Sequence, residues 1–324
     1  MTSSAPPPPP HTPPDADDGA LEHGIIAQGV VRTFGDVRAV DGVDLLARRG
    51  RVTALIGPNG SGKTTLMLVL AGLLVPDEGR VFVDGIDPVA RSYAARARVG
   101  WMPDVFGTWD SLTAREVLET AGATYRIPRD RCVARATELL ATVHLTDLAD
   151  QPAHVLSRGQ KQRLGLARAL VHSPSVLILD EPANGLDPRS RIELRTLVRS
   201  IAAAGTTVLI SSHILTELDE MVDDAVFISR GRTVAQESVA DARTAHRTWR
   251  IKALAAEPLR AWLRSVSVPW TEQPDGSLVL QLGGEEAAAR LLHDSVTAGV
   301  PVVSLAPSGG ALEQTYLSLD EERR

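Results

Sequence analysis

Gly57-Pro58-Asn59-Gly60-Ser61-Gly62-Lys63-Thr64 is the stretch on which the fold turns. It satisfies the pattern G-x(4)-G-K-[ST] at every fixed position, and the apolar run Val52-Thr53-Ala54-Leu55-Ile56 stands directly before it. Thr65-Leu66-Met67-Leu68-Val69-Leu70-Ala71-Gly72 follows and reads as a helix that begins inside the loop. A strand, a glycine loop and a helix N-terminus in that order make a cradle for a diphosphate. The glycines let backbone N–H groups curl around it, and the helix end adds partial positive charge. Lys63 reaches the terminal phosphates and Thr64 offers its hydroxyl to Mg²⁺. The chain has only three lysines, and one stands where the pattern requires it.

Downstream, Val176-Leu177-Ile178-Leu179-Asp180-Glu181-Pro182 is an apolar strand ending in paired carboxylates. A buried strand delivers both to the carboxyl edge of the sheet, where the phosphate loop also opens. Asp180 is then the candidate Mg²⁺ partner and Glu181 the candidate base that polarises the attacking water.

Around these motifs the chain divides by composition. Residues 1–22 combine a proline run with Asp15, Asp17 and Asp18, which predicts an extended, mobile tail. Apolar segments at Ile25–Val31, Ala39–Leu46 and Val52–Ile56, with a further strand and turn at Arg80–Gly85, suggest a small, mainly antiparallel sheet feeding the loop. From about Ala90 to Asp150 the pattern is helical, clearest at Thr113–Ala121 and Arg131–Val143. Parallel-type strands at Val176–Leu179 and Thr207–Ser211 flank a helix at Arg189–Ala203, and Ala225–Arg232 reads as a hairpin. The expected core is residues 23–242, with a helical insert at about 90–170. Residues 243–324 form a second, α+β unit, with strands at Trp249–Leu254, Leu278–Leu282 and Val302–Leu305 and helices at Pro258–Ser265, Glu285–Ala298 and Leu312–Leu319.

The net charge of −6 gives no sign of a nucleic-acid surface, and a single cysteine, Cys132, excludes an internal disulfide. The longest apolar stretch, Leu66 to Val75, is about half of a bilayer span. Pro6 to Pro10 stand where a signal peptide needs an apolar segment, so the expected location is cytoplasmic.

Leu156-Ser157-Arg158-Gly159-Gln160 precedes an amphipathic helix, Lys161 to Leu170. Ser157 suits an N-cap or an anion contact, and Gly159 permits close approach of a phosphate. With this element the chain resembles the ATP-binding subunits of ATP-binding-cassette transporters, whose signature lies just upstream of the Asp–Glu strand. The resemblance covers about residues 24 to 240, with the elements in the family's order. It implies an α/β P-loop core of the cassette type with an antiparallel β subdomain and a helical insert, plus the small C-terminal α+β domain. It also implies ATP and Mg²⁺ as ligands. The nucleotide-binding set is then Phe34, Gly57, Pro58, Asn59, Gly60, Ser61, Gly62, Lys63, Thr64, Thr65, Ser157, Gly159 and Gln160. Lys63, Glu181 and His213 become the catalytic residues, and Thr64, Asp180 and Asp104 the metal-facing ones. Asn184-Gly185-Leu186-Asp187 matches the loop that crosses between subunits, and His213 matches the switch histidine. Phe34 matches the aromatic that stacks on adenine, with a core phenylalanine as the competing reading.

Two positions depart from the family. Asp104 stands at or beside the glutamine of the loop that joins core to insert, where it either approaches Mg²⁺ or caps the following turn. Arg158 replaces a frequent glycine. The resemblance implies that two cassettes close head to tail around two ATP molecules, each signature completing the other's site. It also implies that a separate membrane permease does the transport, docking near Val105, Phe106 and Trp109. The segment Pro307 to Leu317 resembles exporter tails of the drug and antibiotic kind. A soluble cassette acting on nucleic acid or ribosomes, or a non-hydrolysing regulatory cassette, are the alternatives.

Overall fold

The computed structural model describes residues 22–105, 107, 111–212, 218–244, 246–310 and 312. The tail expected at residues 1–22 therefore lies outside them but for Glu22, as do His213, Phe106, Trp109 and the helix expected at Leu312–Leu319 beyond Leu312.

Strands β1 (His23–Phe34) and β2 (Val37–Arg48) form a long hairpin. A six-stranded sheet is built on β3 (Val52–Ile56), which follows directly, and β4 (Glu78–Val83) returns to the other edge of β1. The result is a three-stranded antiparallel sheet in the order β2-β1-β4. The expectation that Val52–Ile56 joins this sheet is corrected. All five of its residues are buried, as a central parallel strand covered on both faces requires.

The six-stranded sheet runs β5 (Val99–Met102), β6 (Val176–Leu179), β7 (Thr207–Ser211), β3, β8 (Asp224–Ser229), β9 (Arg232–Ser238). Its first five strands are parallel and β9 is antiparallel to β8. Strand β5 interrupts the segment expected to be helical. Four residues are too few to display a period of their own.

Period two sorts the side chains between two cores. Leu55, Ile178, Leu209 and Val226 point toward the three-stranded sheet, with helix α1 (Lys63–Leu70) contributing Leu66, Met67, Val69 and Leu70 to the same layer. Ala54, Leu177, Leu179, Ile210 and Phe227 point the other way. After the short α2 (Ser92–Arg96), that second face is covered by α3 (Ala114–Thr124), α4 (Arg129–Thr142), α5 (Arg158–Leu170) and α6 (Pro188–Ala203). A reciprocal cap between Thr113 and Glu116 starts α3.

After α7 (Val239–Thr244), the chain runs β10 (His246–Ala253), α8 (Ala256–Ser265), β11 (Trp270–Glu272), β12 (Leu278–Gly283), α9 (Gly284–Thr297) and β13 (Val302–Pro307). The sheet order β11-β12-β10-β13, wholly antiparallel, is that of a split β-α-β arrangement. The three-residue β11 is a strand that the sequence pattern did not predict. This unit has its own core around Trp249, Ile251, Leu259, Leu263 and Leu280. Beyond it the chain returns: Leu312 is fully buried in the larger core, in the same cluster as Leu218 and Met221, and its N–H donates to Asp219 Oδ1 at 3.0 Å. No helix among the described residues is long and apolar enough to cross a membrane.

Candidate functional site

The carboxyl ends of β3, β5 and β6 meet at an open cleft of about 360 Å³, inside the size range of ligand pockets. Asn59, Gly60, Gly62, Lys63, Thr64 and Thr65 line it from the loop, Asp104, Asp180 and Glu181 from the strand ends, and Ala39 from β2. Gly62 is the residue that turns the loop into α1. Its φ is +97°, and a Cβ there would lie 2.1 Å from the carbonyl oxygen of Ala39. At Gly57 a Cβ would stand 2.2 Å from the Ile228 carbonyl oxygen, so the loop enters pressed against β8.

Lys63 is nearly buried, and its Nζ donates to the carbonyls of Gly57 at 2.8 Å and Pro58 at 3.1 Å. The loop thus holds the ammonium over its own opening. Burial lowers the Lys63 pKa, opposed by the nearby charges of Glu181 and Asp180. Thr64 Oγ1 donates to Asp180 Oδ2 at 2.8 Å, tying the start of α1 to the end of β6. Ser211 Oγ donates to Asp180 Oδ1 at 2.6 Å and accepts the Glu181 N–H at 2.9 Å. Glu181 has φ +48°, a left-handed backbone that a non-glycine residue adopts at a cost of about 1–2 kcal/mol. The Ser211 bond holds it there. The sequence reading ends a strand at Ser211 and assigns it no role. Its signal was a hydroxyl at the end of a parallel strand beside the carboxylate strand.

Asp104 lines the same cleft. Its Oδ1 accepts from Asn184 Nδ2 at 2.9 Å and its carbonyl accepts from Gln162 Nε2 at 3.1 Å. Ser157, Gly159 and Gln160 are elsewhere: none is among the residues lining the cleft. Ser157 is the N-cap of α5, accepting the Gln160 N–H at 3.3 Å while Gln160 Oε1 accepts the Ser157 N–H at 2.8 Å. Gly159 faces Leu186 and Gly185 of the loop before α6. Phe34 is 48 % exposed, which removes the core reading, but it does not line the cleft. The Arg32 guanidinium lies 5.0 Å from its ring centroid.

The cleft suits a nucleoside polyphosphate with Mg²⁺. Ser61 Oγ is buried in the loop without a hydrogen-bond partner, leaving a hydroxyl free for a phosphate oxygen. Thr64 and Asp180 offer hard oxygens, and among the described residues no cluster of three His, Cys, Asp or Glu forms a metal cage. Mg²⁺ takes one or two protein ligands and completes its shell with water and phosphate, a demand that the Thr64 and Asp180 oxygens can meet.

Comparison with known proteins agrees with this geometry. Residues 40–184 match the model of a family described as ABC transporter. The chain is 42 % identical over 212 residues to the daunorubicin resistance ATP-binding protein DrrA3 of Streptomyces coeruleorubidus, covering 65 % of this chain and 67 % of the relative. It is 35 % identical over 209 residues to the Nod factor export ATP-binding protein I of Ralstonia nicotianae, covering 64 % and 65 %. Among solved structures, an ATP-binding subunit of an ABC transporter superposes with TM-score 0.63 at 26 % identity, covering 68 % of this chain and 91 % of the other. A dimeric post-hydrolysis cassette bound to ADP and Pi superposes with TM-score 0.61 at 25 % identity, covering 66 % and 98 %.

Proposed function

The chain belongs to the ABC transporter family as an ATP-binding and ATP-hydrolysing subunit coupled to transport, and from that premise we propose that it powers export through a separate membrane permease as a homodimer on the cytoplasmic face. The carrying observation is the bond from Thr64 Oγ1 to Asp180 Oδ2, which joins the phosphate loop to the carboxylate strand in one cleft with Glu181.

Lys63, Ser61 and the loop N–H groups would hold the phosphates, and Thr64, Asp180 and Asp104 would hold the metal or its water shell. Bound Mg²⁺ supplies charge neutralisation on the phosphoryl oxygens. Glu181 accepts a proton from the attacking water at its carboxylate, held in place through its N–H by Ser211. His213 is the γ-phosphate sensor in this reading and Phe34 the adenine platform. The separation of the Ser157–Gln160 signature from its own cleft supports a head-to-tail dimer, since a second copy brings that helix end to the open site. The dimeric cassette among the similar structures supports the same arrangement.

Relatives named for daunorubicin resistance and for Nod factor export support the outward direction, and the first of these supports a cargo of the drug or antibiotic kind. Val105, 80 % exposed beside the cleft loop, supports a permease contact there.

Two measurements test the reading. Purified Glu181→Gln is expected to bind ATP, lose hydrolysis by at least about a hundredfold, and elute as an ATP-dependent dimer. A monomeric, normally active variant would sink both the base and the dimer. Inverted membrane vesicles carrying the chain with its permease are expected to accumulate cargo on addition of ATP; ATP-driven loss of preloaded cargo from the same vesicles would make it an importer.

A further inference from the structure

Asp104 puts a carboxylate at or beside the position where the family has a carboxamide. The cleft then holds Asp104, Asp180 and Glu181, with Lys63 the only cation among its lining residues. A third carboxylate beside a polyphosphate is unfavourable unless something fixes how it is presented. Two side chains from different elements do so. Gln162, on α5, donates to the Asp104 carbonyl, and Asn184, on the loop after β6, donates to Asp104 Oδ1.

The backbone clamp is firm. Gln162 is only 4 % exposed, and its Oε1 is already buried without a partner. It borders a cavity of about 30 Å³ shared with Met102, Pro182 and Leu186. Releasing the Asp104 carbonyl would orphan the amide nitrogen as well, which ties the Asp104 loop to α5. The side-chain clamp decides the chemistry. One amide N–H occupies one carboxylate oxygen and stops the group from turning. The carboxamide of position 184 thus engages the carboxylate of position 104.

We propose that Asn184 is the positioning residue for Asp104: it takes Oδ1 and leaves Oδ2 as the oxygen presented to Mg²⁺ or its water shell. This rests on the metal-facing reading of Asp104 given above. It makes the loop that begins at Glu181 the carrier of two functions, the base and the hand that aims the third carboxylate.

The test is equilibrium binding of a fluorescent ATP analogue to the full chain, with Mg²⁺ and with EDTA, backed by thermal melts. The readout is the ratio of the two affinities. Asp104→Ala is expected to lower that ratio about tenfold, the worth of one contact to a charged group, and Asn184→Ala to do the same with affinity in EDTA unchanged. On the Asp104→Ala background, Asn184→Ala adds nothing further. Asn184→Asp sets two carboxylates at hydrogen-bond distance and lowers the ratio more; adding Asp104→Asn restores it, because the pair is rebuilt with its members exchanged. A loss in Asp104→Ala without one in Asn184→Ala overturns the positioning role and leaves the metal-facing reading standing. Additive losses in the double variant overturn it equally. An unchanged ratio in Asp104→Ala removes the metal-facing reading, and this inference with it.

Discussion

Ser211→Ala removes one oxygen from the centre of the cleft's polar network. In the intact protein that fully buried hydroxyl donates to Asp180 Oδ1 at 2.6 Å and accepts the Glu181 N–H at 2.9 Å. Alanine leaves the N–H of a left-handed residue without its partner and takes one of two hydroxyl donors from the carboxylate, Thr64 remaining as the other. A hydrogen bond to a charged group contributes about 1.5–3 kcal/mol, and each 1.4 kcal/mol is a factor of ten. If the loss falls on the geometry of Glu181 and Asp180, kcat drops by about 10- to 100-fold. The KM for ATP stays within about threefold, because the Ser211 hydroxyl bonds to Asp180 and Glu181 and not to the phosphate loop. Steady-state ATPase measurements with saturating Mg²⁺ separate the two constants. A kcat within twofold of the parent would refute the reasoning, as would a rise in KM with kcat unchanged.

His172 predicts a pH effect. Burial lowers its pKa to about 4, against a smaller upward pull from its bond to the Val99 carbonyl, so between about pH 6.5 and 4 the unfolded chain binds a proton that the folded one refuses. Stability therefore falls with pH across that window, and His172→Phe, which keeps a ring against Tyr125, should flatten the slope of denaturant-derived stability there; an unchanged slope means another group titrates. Leu312→Ala should destabilise the protein by about 2–4 kcal/mol, read as a lower denaturation midpoint, because Leu312 is fully buried in the larger core. A surface-like loss under 0.5 kcal/mol would contradict that packing. Val105→Asp should reduce recovery of the permease with the tagged chain while basal ATPase stays within twofold, and unaltered recovery would move the docking surface elsewhere.

Much of this was legible in the sequence because short-range chemistry dictated it. Gly57 to Thr64 could be read residue by residue, and β6, β7 and α6 fell where the apolar runs and the helical pattern placed them. Strand pairing was less legible. Nothing local distinguishes a central parallel strand such as Val52–Ile56 from a member of the neighbouring antiparallel sheet; that depends on Val208 and Ala225 flanking it, over 150 residues away. The same limit hid Ser211, Asn184 and Gln162. Each acts through a partner brought near by the sheet, and a polar residue's partner cannot be read from its own stretch of chain.

The return of Leu312 changes what the small C-terminal unit is mechanically. It leaves the larger body after α7 and rejoins it at Leu312, beside Leu218 and Met221, with Asp219 gripping the backbone. It is therefore a handle fixed at both ends, not a pendant on a string. A load applied to it by any neighbour divides between two attachments, one of which is the stretch of chain that follows β7. Cutting after residue 242 would remove the handle and also pull a plug from the larger core, so the two parts share one structural fate.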